Sequence, residues 1–140
     1  MRFWDTSALL PLLIQEDRTE AAKAMYDEDS LQAVWCLAEV EVASALARRG
    51  REGLSSAGLE DARLQLKWLA DRWIETSSLS LVRARALRIV NTHPLRAADA
   101  IQLSAALVAS DERPESLPFV CLDDRLRDAA RREGFPVLPS

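Results

Sequence analysis

Four acidic residues stand in short apolar contexts where a carboxylate is costly. They are Asp5 in Phe3-Trp4-Asp5-Thr6-Ser7, Glu41 in Ala38-Glu39-Val40-Glu41-Val42, Asp99 in Ala97-Ala98-Asp99-Ala100-Ile101 and Asp123 in Val120-Cys121-Leu122-Asp123-Asp124. Asp99 is the sharpest case, because it is the only charged residue between Ala97 and Ser110. A helix that is apolar nearly all round is buried, and a carboxylate buried with it needs a compensating partner. Several acids in that position can share one partner, and a hard divalent cation, which takes oxygen ligands, suits them.

Each acid also has a plainer role to weigh. Asp5 and Asp123 follow strand-like runs, Met1–Trp4 and Phe119–Leu122, and either could cap the helix that starts there. The same address, outside the carboxyl end of a strand, is where open parallel sheets bind ligands. Asp124 beside Asp123 permits one cap and one ligand. Glu39 and Glu41 are the only charges between Leu37 and Ala47. At about 100° per residue they project roughly 200° apart, so one helix aims only one of them into a shared site; Glu39 is assigned to solvent. The competing partner for Asp99 is Arg96 one turn earlier, but Leu95 and Leu103 on the same side favour an inward carboxylate.

The segments that must position these acids alternate between strand and helix. Strands are expected at Met1–Trp4, Leu31–Trp35 and Phe119–Leu122, with short ones near Ile74 and at Pro136–Leu138. Helices are expected at Ser7–Ile14, Arg18–Tyr26, Leu37–Arg49, Leu81–Val90, from about Arg96 onward, and at Arg125–Arg132. Leu59, Ala62, Leu66, Leu69 and Trp73 form a further amphipathic stripe. Alternation of this kind predicts an α/β fold: a three-layer α/β/α arrangement around a mostly parallel central sheet of four to five short strands. The 140 residues suit a single domain, 1–140.

Composition narrows the options. A net charge of −4 gives no general basic field for nucleic acid, although a cluster of cation-binding acids would itself supply such a deficit. Lys23 and Lys67 are the only lysines among 18 cationic side chains; the arginine that makes up the rest suits phosphate through its planar fork. Cys36 and Cys121 sit in apolar runs and read as core residues rather than a disulfide. No apolar run reaches the roughly 18 residues of a membrane span, and the N-terminus lacks a signal pattern, so a cytoplasmic location is expected. His93 is the only histidine, which excludes a nuclease working with two imidazoles. A phosphoacceptor receiver needs a lysine after a late strand, and a haloacid-dehalogenase-type phosphatase needs Asp-x-Asp after the first; neither is present.

The residues that carry the most chemistry also carry a resemblance. Asp5-Thr6-Ser7-Ala8-Leu9, Glu41-Val42-Ala43-Ser44-Ala45-Leu46-Ala47-Arg48, the segment Leu95 to Leu107 around Asp99-Ala100-Ile101, and Asp123-Asp124-Arg125-Leu126 resemble PIN-domain ribonucleases. They are similar in particular to the VapC-like toxins of bacterial toxin–antitoxin pairs. The likeness runs in order along the chain to Gly134-Phe135-Pro136-Val137-Leu138-Pro139.

That resemblance implies a PIN-like fold and a metal-dependent endoribonuclease using Mg²⁺ or Mn²⁺, with Asp5, Glu41, Asp99 and Asp123 as the acidic metal site. Asp5 and Asp99 would be direct ligands, Glu41 and Asp123 would act partly through water, and Thr6 or Ser7 would support them by hydrogen bonding. Asp123 is preferred to Asp124 because it stands three residues before Leu126. Hydrolysis would leave a 5′-phosphate and a 3′-hydroxyl. An RNA substrate, a cognate antitoxin and a homodimer are implied as partners. Two positions depart from the pattern: Gln102 stands where many relatives carry histidine, and Cys121 where a Ser or Thr hydroxyl is common. A non-catalytic PIN-like interaction domain, or another acid-cluster phosphohydrolase, is the alternative.

Overall fold

Parallel strands covered on both faces read as continuous apolar runs; Phe3-Trp4, Ala33-Val34-Trp35 and Phe119-Val120 do, whereas the edge strand Ile74–Thr76 carries Glu75 and is largely exposed. The computed structural model describes residues Met1–Ser140. Five strands, β1 (Arg2–Trp4), β2 (Gln32–Trp35), β3 (Ile74–Thr76), β4 (Phe119–Val120) and β5 (Val137–Leu138), form one sheet. All neighbours are parallel, in the order β3-β2-β1-β4-β5. The chain builds outward from β1 to β2 and β3, then returns to lay β4 and β5 on its other side. The strand order therefore reverses between β1 and β4, the place where open α/β sheets form ligand crevices.

Side chains alternate across each strand, and this splits the core in two. Phe3 and Phe119 stack at 5.6 Å on one face, beneath α5 (Leu79–Thr92), α6 (Ala97–Ala109) and α7 (Asp124–Arg132). Trp4, Val34 and Val120 face the other way. There they meet α1 (Thr6–Leu9), α3 (Ala38–Arg51) and α4 (Ser56–Ala70), with α2 (Thr19–Glu28) alongside. The three-layer α/β/α expectation holds, with every strand pair parallel.

Several boundaries differ for local reasons. The helix expected over Ser7–Ile14 stops at Leu9 and continues as a 3₁₀ turn over Leu10–Leu12. Pro11 falls inside it and has no N–H to extend an α-helix. Gly50 lies within α3, and Gly53, at φ +115°, supplies the left-handed residue beyond its end. The strand expected to reach Leu122 ends at Val120, because the Leu122 N–H donates to Ser7 Oγ instead of a neighbouring strand. Leu59, Ala62, Leu66 and Leu69 of the amphipathic stripe pack into the core. Trp68 lies off that stripe, half exposed, with the Arg72 guanidinium 3.7 Å over its ring.

Candidate functional site

Asp5 and Asp123 leave the carboxyl ends of the two strands that flank the switch point, since Trp4 pairs with Val120. Both cap the helices that follow. Asp5 Oδ2 accepts from the Ser7 N–H at 3.1 Å, and Asp123 Oδ1 accepts from the Leu126 N–H at 2.9 Å. Capping and ligation are thus not alternatives here. A cap uses one carboxylate oxygen and fixes the rotamer; the other oxygen, Oδ1 of Asp5 and Oδ2 of Asp123, makes no hydrogen bond within the protein. Asp124 is exposed in the first turn of α7.

Asp99 reaches the same place from the first turn of α6. It lines a recess of about 310 Å³ together with Asp123, Arg96 and Arg125, and it forms no ion pair with Arg96. Partial burial raises its proton affinity most, and the charges of Asp5 and Asp123 raise it further against the opposing pull of Arg96. Asp5, almost fully buried, is raised chiefly by loss of solvent and then by Glu41, while hydrogen bonds from Ser7 and Cys121 oppose. Glu41 is raised by burial and by Asp99. These carboxylates sense one another's charge, and none of them is paired with a cation.

Glu41 enters from the first turn of α3. Its Oε2 accepts from Thr6 Oγ1 at 3.0 Å and from Gln102 Nε2 at 3.2 Å, and Gln102 also donates to Thr6 Oγ1 at 3.2 Å. Glu39 is exposed on the far side of α3, as its angular position requires. Ser7 Oγ accepts from the Leu122 N–H at 2.9 Å and lies 3.6 Å from Cys121 Sγ, so it ties the end of β1 to the end of β4.

Comparison with known proteins turns this arrangement into a family assignment. No family model matches the chain. Ribonuclease VapC45 of Mycobacterium tuberculosis (strain CDC 1551 / Oshkosh) is 32% identical over 141 residues, covering 99% of this chain and 94% of the relative. Ribonuclease VapC49 of the H37Rv strain of the same organism matches with the same identity and coverage. This chain belongs to the VapC ribonuclease family.

Within this VapC-family chain, two residues work at the site in ways their sequence context did not announce. Gln102, noted only as a departure from histidine, bridges Thr6 and Glu41 from within α6; its position three residues after Asp99 in a buried helix was the available signal. Its Oε1 is buried without a partner. Cys121 keeps a polar role despite lacking a hydroxyl: Sγ donates to Asp5 Oδ2 at 3.6 Å and accepts from the Asp123 N–H at 3.4 Å. Burial and the Asp5 carboxylate push its thiol far above the ordinary range, so it stays protonated. Both cysteines are free.

No three acidic, histidine or cysteine side chains close into a ready ligand cage. The donor set nonetheless fits a hard divalent cation such as Mg²⁺ or Mn²⁺. It is all carboxylate oxygen, with free lone pairs on Asp5 and Asp123 and like charges that lack a counter-ion.

Proposed function

We propose that this protein, acting as one nuclease unit over residues 1–140, is a Mg²⁺- or Mn²⁺-dependent endoribonuclease toxin that hydrolyses RNA at the Asp5, Glu41, Asp99 and Asp123 cluster. The observation that carries this is the electrostatic meeting of Asp5, Glu41, Asp99 and Asp123, drawn from four separate segments, with no ion pair to relieve them. Asp5 and Asp99 would hold the metal directly, Asp5 through its free Oδ1. Asp123 and Glu41 would act partly through water. A bound cation supplies an acidified water and screens the scissile phosphate from the carboxylates. Glu41, held at Oε2 by Thr6 and Gln102 and raised in proton affinity, has Oε1 free and would serve as a proton acceptor at the site. Cleavage would leave a 5′-phosphate and a 3′-hydroxyl.

A protein of this activity endangers its own cell, so we assign it a cognate antitoxin as well as a homodimeric state. An uncovered apolar groove along α5, lined by Leu79, Val82, Leu87 and Val90 with Trp35 and Ile101, supports a protein partner on that face. Light scattering that finds only monomer at micromolar concentration would contradict the dimer. No helix is long and apolar enough to cross a membrane, and we place the protein in the cytoplasm with its substrate. The test of the activity is cleavage of a labelled RNA with Mn²⁺ and with chelator. Metal-dependent cleavage that Asp99→Asn abolishes is expected; cleavage that survives chelation or that substitution overturns the assignment.

A further inference from the structure

The acid recess has arginines at its mouth that hold nothing in the protein. Arg96 and Arg125 form part of its wall. Beside it lies a second recess of about 290 Å³, which shares Pro94 and Arg125 and adds His93, Asp128, Ala129 and Arg132. Arg96, Arg125 and Arg132 are exposed and take part in no ion pair or side-chain hydrogen bond. By contrast, Arg2, Arg49, Arg85 and Arg88 are each held by a carboxylate. Arg127, elsewhere on α7, is committed to the carbonyls of Cys121, Leu138 and Pro139.

The spacing gives these free cations a direction. Arg125, Asp128, Ala129 and Arg132 stand at i, i+3, i+4 and i+7, so they share one face of α7. Arg125 and Arg132 are about 10.5 Å apart along the axis at 1.5 Å per residue. The line from Arg96 through Arg125 to Arg132 therefore leads away from the carboxylates over two adjoining recesses. A phosphodiester backbone approaching four acids is repelled unless flanking cations hold it, and arginine does so with a planar donor fork. His93 serves there as wall, since its Nε2 is engaged with Glu133 Oε2 at 2.7 Å.

We propose, resting on the ribonuclease assignment above, that this double recess is the track of the RNA phosphate backbone. Arg96 and Arg125 hold the phosphate at or beside the scissile bond. Arg132 holds one further along the strand, and Asp128, 73% exposed and 3.7 Å from Arg131, weakens the track by its charge. The Arg83, Arg85, Arg88 group of α5 is not part of it: Arg85 and Arg88 are paired with Glu112 and Glu133, and Arg83 borders the apolar groove.

The test is fluorescence anisotropy of a labelled single-stranded RNA dodecamer on the full chain carrying Asp99→Asn, so that nothing is cleaved. Adding Arg125→Gln or Arg132→Gln should each weaken binding about five- to tenfold and lower the slope of log Kd against log salt by about 0.7. Asp128→Asn should tighten binding, and Arg63→Gln, at an exposed arginine of α4, and Arg83→Gln should change neither quantity. Unchanged affinity and slope in both track variants would overturn the proposal even if the wild-type chain cleaves RNA. So would an equal loss in Arg83→Gln. If binding follows the arginines but the wild-type chain cleaves nothing, the track stands and the catalytic assignment falls.

Discussion

Two clusters of ionisable groups lie on either side of Pro94, and they are built on opposite principles. In one, Glu133 accepts from Arg88 at 2.7 and 3.2 Å and from His93 Nε2 at 2.7 Å, joining the end of α5 to the end of α7. Its carboxyl is held below the ordinary range, first by Arg88. In the other, Asp5, Glu41, Asp99 and Asp123 face one another without an ion pair, and three of them are pushed up. Satisfied opposite charges make a clamp. Like charges left facing one another cost stability, and such tension persists where the surrounding fold over-determines it and a ligand relieves it.

The contrast can be broken most severely at Asp99. Asp99→Asn should lower metal-dependent RNA cleavage by more than about a hundredfold, exceeding the usual loss for an outer-shell partner of a metal site. Thermal unfolding without metal should be unchanged or raised, because one repelling charge is gone. A stabilising role for that carboxylate would show as a lowered Tm and would erase the difference between the two clusters.

Glu133→Gln should do the reverse: destabilise by about 1.5–3 kcal/mol through weakened charge-assisted hydrogen bonds, as read by denaturant unfolding, with cleavage by the remaining folded protein retained. The two variants should also part company with pH. Glu133 has a depressed folded-state pKa, so its contribution is complete above its ordinary 4.5 and fades as pH falls through the lower folded value. Asp99 has a raised one, so its penalty is complete above the folded value and vanishes towards its ordinary 3.8. On acidification, the advantage of Asp99→Asn should be gone by its ordinary value of 3.8, and the deficit of Glu133→Gln should begin to fade only below 4.5.

Much of this was legible in the residues, and the gaps have physical causes. Hydrophobic runs and periodicity located the strands and helices, and carboxylates stranded in those runs marked the candidate site. Helix geometry showed that only one of Glu39 and Glu41 could enter a shared site, and the family resemblance selected Glu41. Pro11 was visible in the sequence, yet the apolar run around it masked the change to a 3₁₀ turn. What the sequence concealed was pairing across long separations. Gln102 and Glu41 are distant in the chain, and only the fold, which brings α6 and the start of α3 within reach from opposite faces of the sheet, makes one hold the other. The same applies to His93 and Glu133, whose partnership depends on where α5 and α7 end.

Smaller effects sharpen the picture. Gln102→Leu removes both a buried acceptor without a partner and the donor that fixes Glu41. Cleavage should fall about tenfold, while stability stays within about 1 kcal/mol because the two changes offset; a steady-state assay beside an unfolding curve separates them. Glu39→Gln, on the solvent side of α3, should leave cleavage within about twofold. A loss there equal to that of Glu41→Gln would mean that the wrong glutamate has been placed in the site.

The central claim is that these carboxylates share a divalent cation, and thermal unfolding during a Mn²⁺ titration tests it most directly. The wild-type protein should gain stability as RT ln(1 + [L]/Kd), reversibly with chelator, and Asp99→Asn should gain little or none. A wild-type protein indifferent to Mn²⁺, or an Asp99→Asn variant stabilised to the same extent, would contradict the account.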